Sequence, residues 1–353
     1  MDNKKEVIDS IFQKTTKNKL LHEAVLLVED SYGKFSYHLE YGGKGIDTPF
    51  LIASITKLFT TSCIFILKDQ GRLSLDDPLI KYIDKEKLQY LHIYRGQEFS
   101  EQLTIAHLLC HTSGLPDAIE EGSHRAKKRA IKQDIYTDFE ETLKNTRNLK
   151  PRFEPETKNK AHYANINFDI VGKIIEVITN STLEDVYQRF IFDPLDLKHT
   201  YLPVHEHDNV PKFYYKDVSY YRPKIIKSIR ASGGVVSTTR ELMLFIKAFF
   251  QGELFSISTF HEWTANHRLQ VPMMPIHYDV GYMRISLEGW STFFMGKGDV
   301  IGHSGSTGAF AFYYPQADLF FVGDLNQMAN PALPVRLVMR LAMALNKIKA
   351  SRR

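Results

Sequence analysis

Ser54 and Lys57 stand three residues apart at the head of an apolar run, Phe50-Leu-Ile-Ala-Ser54-Ile-Thr-Lys57-Leu-Phe-Thr-Thr-Ser-Cys63-Ile-Phe-Ile-Leu67. On a helix that spacing puts both side chains on one face, with Cβ atoms roughly 5–6 Å apart, so the amine can reach the hydroxyl. A serine hydroxyl is a poor nucleophile until an adjacent base takes its proton, and a lysine serves as that base only when burial or neighbouring cations lower its pKa. A helix N-terminus at Ser54 would add free N–H groups, which favour negative charge developing on an attacked carbonyl oxygen. The spacing alone is a weak signal, as Ser31-Tyr-Gly-Lys34 shows. That second match lies between Ala24–Asp30 and the alternating stretch Phe35–Tyr41, which makes it the tip of a hairpin.

Two further stretches carry chemistry. Tyr163-Ala-Asn165 sits between the polar segment Lys150–His162 and an apolar-periodic helix Phe168–Ile178. A tyrosine near a lysine can move protons, and an asparagine amide can donate to and accept from a substrate amide. The same residues would equally serve as a packed tyrosine at a helix start with Asn165 as its cap. Gly302-His303-Ser304-Gly305-Ser306-Thr-Gly308 precedes the strand Ala309–Tyr314. It reads either as a strand edge along which a substrate lies, with a main-chain N–H near Ser306 facing an oxyanion, or as a plain glycine-rich hairpin turn.

The elements that must position these residues follow from periodicity. Ile55, Leu58, Phe59, Cys63 and Ile66 predict a helix from Ser54 to Gln70, apolar nearly all round in its later turns and so internal to its domain. Before it come a short helix over Glu6–Lys14 and the hairpin. After it the chain from Arg72 to Ile229 shows little strand alternation: Leu103–Cys110 is a helix stopped at Gly114 and Pro116, and Ser181-Thr-Leu-Glu184 is a capping pattern before Val186–Phe190. Ser232-Gly-Gly-Val-Val-Ser237 is a glycine turn, and Thr238 caps a helix running to Phe250. Strands return at Val280–Leu287, Trp290–Met295, Ala309–Tyr314 and Leu319–Asp324, before an amphipathic last helix over Leu333–Ile348. Short turns between strands require antiparallel pairing. The expected fold is α/β in the α+β sense: an antiparallel sheet built from both ends of the chain (1–71 and 231–353), flanked by N- and C-terminal helices, with a helical region (72–230) inserted between.

The bulk numbers set limits. A chain of 353 residues with 43% hydrophobic residues buries a sizeable core. A net charge of +4, from 45 basic and 41 acidic residues, gives no support to a nucleic-acid partner. The basic run Arg125, Lys127, Lys128, Arg129 and Lys132 is flanked by Glu120, Glu121, Glu140 and Glu141, the pattern of a solvated face. Cys63 and Cys110 lie in apolar runs and read as small core residues. With no signal-peptide core at the N-terminus and no membrane-length apolar window, a soluble cytoplasmic protein is expected.

Taken in order, Ser54-Ile-Thr-Lys57, Tyr163-Ala-Asn165 and His303-Ser-Gly305 resemble the motifs of the serine β-lactamase-like and penicillin-binding superfamily, in its class C β-lactamase, D-Ala-D-Ala carboxypeptidase and esterase branch. Leu103–Pro116, Phe192-Asp-Pro-Leu195 and Ser232–Ser237 look similar to the same family, and the resemblance spans Ala24 to Asn326. It implies a β-lactamase/transpeptidase-like fold and an acyl-enzyme at Ser54. Lys57 or Tyr163 would be the base, and Asn165, His303, Ser304, Gly305 and Ser306 would bind substrate, with main-chain N–H groups of Ser54 and Ser306 as the oxyanion hole. His111 matches a structural position. No metal or organic cofactor is implied, and the partner is a small-molecule or short-peptide substrate: a D-amino-acid peptide, a β-lactam or a carboxylic ester. The alternative is a penicillin- or peptidoglycan-fragment-binding protein with negligible turnover.

Two departures from the family pattern bear on this. His303 replaces a common lysine and, with a reference pKa near 6.5, is mostly neutral at pH 7, which weakens its grip on a carboxylate. Phe153-Glu-Pro155-Glu156 stands where a Pro-Gly turn is usual ahead of the tyrosine. Other hydrolase classes fit less well. Gly302-His-Ser304-Gly-Ser306 lacks the last glycine of a nucleophile elbow, and His205-Glu-His207-Asp208 lacks the helical spacing of a metal hydrolase. The aromatic stretches Phe213-Tyr-Tyr215 and Ser219-Tyr-Tyr221 would line a pocket or join the core.

Overall fold

The structure is a computed structural model, and it describes residues 2–121, 131–205, 208–263, 267–270, 273, 275–289, 292 and 296–350. Helix α1 spans Asp2–Thr16, and strands β1 (Ala24–Glu29) and β2 (Ser36–Tyr41) form the hairpin whose tip carries Ser31 to Lys34. Helix α2 covers Thr56–Asp69, α3 Asn165–Thr179 and α4 Thr239–Gln251. Strands β3 (His267–Arg268), β4 (Ile276–Tyr278), β5 (Met283–Ser286), β6 (Asp299–Ser304), β7 (Ala309–Tyr314) and β8 (Leu319–Asp324) precede α5 (Leu333–Ala350). The eight strands make one antiparallel sheet in the order β2-β1-β8-β7-β6-β5-β4-β3, so the first hairpin joins the C-terminal strands through the pair β1–β8.

Both faces of this sheet are covered, and the central strand shows why. All of β8 is buried: Leu319 and Phe321 point into a core shared with Ile8, Phe12, Val338 and Leu341 of the terminal helices, while Phe320 and Val322 point into the core that holds α2 and α4. The period-2 alternation of a strand sends successive side chains to opposite faces, so a strand buried along its whole length demands cover on each. Helix α2 lies within the second core, where Leu58, Phe59, Cys63, Ile64, Phe65 and Leu67 are buried.

The fold departs from expectation in several places. The stretch Asp299–Ser304 is a strand, so Gly302 and His303 lie within the sheet and not ahead of it. Val280–Leu287 contributes only Met283–Ser286, and Trp290–Met295 falls, Thr292 apart, outside the described residues. The inserted region is mostly helical but contains two small hairpins, Ile93–Tyr94 with Gln97–Glu98 and Phe213–Tyr215 with Val218–Tyr220. The capping pattern near residue 181 is shifted by one: Thr182, not Ser181, caps the helix Leu183–Tyr187. Arg125, Lys127, Lys128 and Arg129 also lie outside the described residues. Among the described residues no helix is long and apolar enough to cross a membrane.

A buried ion pair ties the two ends of the chain together beside the site. Lys44, almost fully buried, donates to Asp324 at the end of β8 (2.5 Å) and to Glu23 (2.9 Å). Removing one partner of such a pair strands the other charge. Lys44→Met is therefore expected to lose about 3–5 kcal/mol of unfolding free energy in urea, and the double variant Lys44→Met/Asp324→Leu to recover most of it. Equal losses in the two would show that the pair, and not the stranded carboxylate, holds this junction.

Candidate active site

The turn that presents Ser54 is strained. Ala53 adopts φ +47°, in the left-handed region that a non-glycine residue enters at a cost, and Ala53–Ile55 form one 3-10 turn before α2 begins at Thr56. What holds the turn is packing from two sides. Ahead of it, Phe50–Leu51 pair with Val236–Ser237. Above it, Thr307 Oγ1 donates to the Leu51 carbonyl at 2.9 Å, and Gly305 approaches so closely that a Cβ there would stand 2.5 Å from the Ile52 carbonyl oxygen and 3.0 Å from the Ala53 Cβ. Gly305 is thus required by the approach of the β6–β7 loop to the serine turn.

Lys57 is fully buried, and its Nζ has three neighbours: Ser54 Oγ at 3.2 Å, Asn165 Oδ1 at 2.8 Å and the Ser232 carbonyl at 2.7 Å. As an ammonium it donates to all three. As a neutral amine it donates its two hydrogens to the amide and carbonyl oxygens, which can only accept, and its lone pair is left for the Ser54 hydroxyl, the one neighbour able to donate. Burial pushes the Lys57 pKa down to about 7, against the opposing pull of Asp169 and Asp117. The Asn165 amide is itself oriented, since its Nδ2 donates to Asp117 Oδ2 at 3.0 Å.

Tyr163 lies in the loop ahead of α3. The backbone of that loop is held by His162 N–H to the His111 carbonyl (2.8 Å), Tyr163 N–H to Gln270 Oε1 (2.9 Å) and Ala164 N–H to His111 Nδ1 (3.3 Å). The turn before it survives without its glycine: Glu156 takes φ +61°, and its carboxylate reaches His107 Nε2 at 2.9 Å. The Lys57 ammonium sits 4.9 Å from the centre of the Tyr163 ring. The Tyr163 hydroxyl is buried with no hydrogen-bond partner, and burial lifts its pKa well above the ordinary phenol range, an effect the nearby Ser54 hydroxyl only partly offsets.

His303 is fully buried near the end of β6. Its Nδ1–H donates to the Ser304 carbonyl (2.8 Å), and its Nε2 accepts from the Tyr278 hydroxyl (3.2 Å). Burial first, and the Lys57 charge second, lower its pKa to about 3, so the ring is neutral. His111, also fully buried, accepts at Nδ1 from Asn167 Nδ2 (2.8 Å) as well as from Ala164, and burial drives its pKa well below the usual value. Its place is under the Tyr163 ring, 4.5 Å between centres. The expectation of an open strand edge is narrowed here: β5 pairs with β6 as far as Met283 opposite Gly302, so only His303 and Ser304 extend past it, while β7 covers the other side through Ser304. Ser304 and Ser306 are half-buried.

Ser54, Lys57, Tyr163, Asn165, His303 and Gly305 therefore converge from α2, the α3 start and the β6–β7 loop. The hairpin of Phe213–Tyr215 and Val218–Tyr220 docks beside that loop through Tyr214 N–H to Asn326 Oδ1 (3.3 Å) and Lys216 N–H to Gln327 Oε1 (2.8 Å), with Phe213 buried and Tyr221 exposed. Sequence reasoning missed Asp117, Asp169, Tyr278 and the Ser232 carbonyl as neighbours of the site. Two of these had a signal: Asp117 directly follows His111-Thr-Ser-Gly-Leu-Pro116, and Asp169 is one helical turn beyond Asn165. Among the described residues no three histidine, cysteine, aspartate or glutamate side chains gather as a metal site; Glu206 and His207 lie outside them.

The Beta-lactamase family model matches residues 32–343. The chain belongs to the β-lactamase family. It is 29% identical over 208 residues to Protein flp of Staphylococcus aureus (strain NCTC 8325 / PS 47), a match covering 56% of this chain but only 38% of that protein's length. It is 25% identical over 271 residues to the Teichoic acid D-alanine hydrolase of Staphylococcus aureus (strain MRSA252), covering 72% of this chain and 60% of that one. The solved D-amino acid amidase of Ochrobactrum anthropi SV3, complexed with D-phenylalanine, superposes with a TM-score of 0.78 at 19% identity over 99% of this chain and 100% of that one, which shows the shared fold.

The Gly305 contact tests how this β-lactamase-family site is held. Gly305→Ala places a methyl group against the Ile52 carbonyl and the Ala53 Cβ. It is expected to cost about 1–3 kcal/mol in thermal or urea unfolding. An unchanged stability would mean that the serine turn is not clamped by the β6–β7 loop.

Proposed function

We propose that this protein is a serine hydrolase that forms an acyl-enzyme at Ser54 and passes the acyl group to water, with D-aminoacyl esters and amides as its substrates. The observation that carries the reaction is the placement of the Lys57 lone pair. Its two N–H bonds are taken by Asn165 and Ser232, and Ser54 is the donor that remains. Neutral Lys57 takes the Ser54 proton as Oγ bonds to the substrate carbonyl carbon. The carbonyl oxygen, now negative, is met by main-chain N–H groups of Ser54 and Ser306. As the bond to the leaving oxygen or nitrogen breaks, that atom receives a proton from the Lys57–Tyr163 pair. Water then attacks the ester by the same proton path in reverse. Between Lys57 and Tyr163, Lys57 is the base: burial lowers its pKa and raises that of Tyr163, so the phenol stays protonated and acts as a donor.

Substrate class is argued from His303. A neutral imidazole whose Nδ1–H is spent on the Ser304 carbonyl offers no positive charge to a substrate carboxylate. D-Ala-D-Ala peptides and β-lactams carry that carboxylate; D-aminoacyl esters and primary amides do not. The names of the similar proteins, a teichoic acid D-alanine hydrolase and a D-amino acid amidase, support the same reading.

The test compares kcat/KM for D-alanine methyl ester and D-alanine amide with that for a D-Ala-D-Ala peptide and benzylpenicillin, and includes the L-alanine counterparts. D-Alanine derivatives without a carboxylate are expected to be cleaved at least about tenfold more efficiently, a difference of about 1.4 kcal/mol. Ser54→Ala is expected to lose at least about a thousandfold. Preference for the carboxylate-bearing compounds would overturn the substrate class, and undiminished activity in Ser54→Ala would overturn the nucleophile. A lasting Ser54 adduct without product release would instead favour a binding or sensing role.

A further inference from the structure

Lys57 has two carboxyl neighbours that the reaction above does not use. Asp117 reaches it through a single intermediary, and Asp169 acts on it through space. Asp117, almost fully buried, accepts from Asn165 Nδ2, and the Oδ1 of the same amide accepts from Lys57. On the other side, the carbonyl of Ser232 accepts from Lys57 while its hydroxyl donates to the Ile229 carbonyl, and Asp169 lies near enough for its charge to act on Lys57. Asn165 and Asp169 are four residues apart on α3, on one face of the helix. Asp169 is half-buried in the wall of a cavity of about 290 Å³ behind the site, so it meets solvent where Lys57 does not.

We propose that Asp117 and Asp169 are positioning residues that jointly set the proton affinity of Lys57, and through it the pH at which Ser54 becomes reactive. The inference deepens the proposed function and rests on Lys57 being its base. The other titratable groups facing Lys57 are Tyr163, His111 and His303, and all three are neutral: burial raises the first and lowers the other two. The two carboxyls are thus its only sources of negative charge among these groups. On the cavity side of Asp169 the charges cancel in pairs, Arg230 with Glu176 and Glu184, Lys173 with Glu176 and Lys87 with Glu140, and Asp138 caps the helix Phe139–Arg147.

Two opposed effects meet on Lys57. Burial removes an ammonium from water and favours the neutral amine, while a nearby carboxylate favours the ammonium. Without the carboxyls, burial alone would hold the amine neutral to a lower pH. With them, Lys57 is poised near neutrality. Burial raises the carboxyls themselves, Asp117 to about 7 and Asp169 to about 6, so all three groups exchange protons over one pH range and behave as a coupled set. Asp117 also orients the relay, because its acceptor oxygen fixes the Asn165 amide with oxygen, not nitrogen, toward Lys57.

The experiment is a pH titration of the Lys57 side chain by 13C NMR of its ε-methylene in the full-length protein, assigned with Lys57→Met. Acylation of Ser54 by an activated ester is followed on the same samples. The wild type is expected to show a midpoint near 7 with more than one inflection. Asp117→Asn and Asp169→Asn should each lower the midpoint by roughly 1 pH unit, and Asp117→Glu and Asp169→Glu should restore it. Midpoints that do not move in the asparagine variants would overturn the inference. Should a variant not fold, a single inflection or an ordinary lysine midpoint in the wild type would overturn it as well. A midpoint that shifts without the acylation profile following leaves the hold of the carboxyls on Lys57 in place and removes Lys57 as the base.

Discussion

Withdrawing the Lys57 amine from water is the constraint on which the site depends. Several kcal/mol oppose burying an ammonium, and the protein answers with three oxygen neighbours at 2.7–3.2 Å and two carboxyls further out. That arrangement is balanced, not maximally stabilising. A direct carboxylate contact would keep the lysine permanently charged, and an apolar pocket would keep it permanently neutral; neither could take a proton from Ser54 and give it back.

Everything around Lys57 serves that balance. Helix α2 is buried on nearly every side between α4 and the inserted helices, and that position is what dries the amine. The serine turn must bend through a strained alanine so that Ser54 faces back toward Lys57, and the sheet supplies the clamp, with Gly305 and Thr307 pressing the loop after β6 onto residues 51–53. The sheet can do this only because the first hairpin closes onto the last strands, where Lys44 and Asp324 lock the junction. His303 and His111 stay neutral under the same burial, which removes two competing charges from the neighbourhood of the amine.

Much of this is legible in the sequence, for particular reasons. The helix from Ser54 to Gln70 carries an unbroken apolar period, and it is found from Thr56 to Asp69 with one 3-10 turn ahead of it. The sheet built from both ends and the three ordered motifs are readable because short turns force antiparallel pairing and because motifs in a fixed order are specific. Strand β6 escapes sequence reasoning because Gly302 at its centre reads as a turn; in the fold that glycine adopts φ +146° where a Cβ would strike the Ala311 carbonyl. The positive φ of Ala53 leaves no trace in residue type. Asp117 and Asp169 escape it too, because a lone aspartate in a sequence usually marks a cap or a surface, and only the three-dimensional approach to Lys57 distinguishes these two.

If Ser54 carries the acyl group and neutral Lys57 puts it there, the intermediate should be caught in the act. The most direct measurement is acid quenching during turnover of D-alanine methyl ester, followed by intact-mass and peptide-level mass spectrometry, repeated from pH 5 to pH 9. The expected result is one D-alanyl group, on Ser54, with its rate of formation falling as the pH drops below about 7 and level above it. Protein that stays unmodified during turnover, an acyl group on any other residue, or a rate of formation indifferent to pH across that range would contradict this mechanism.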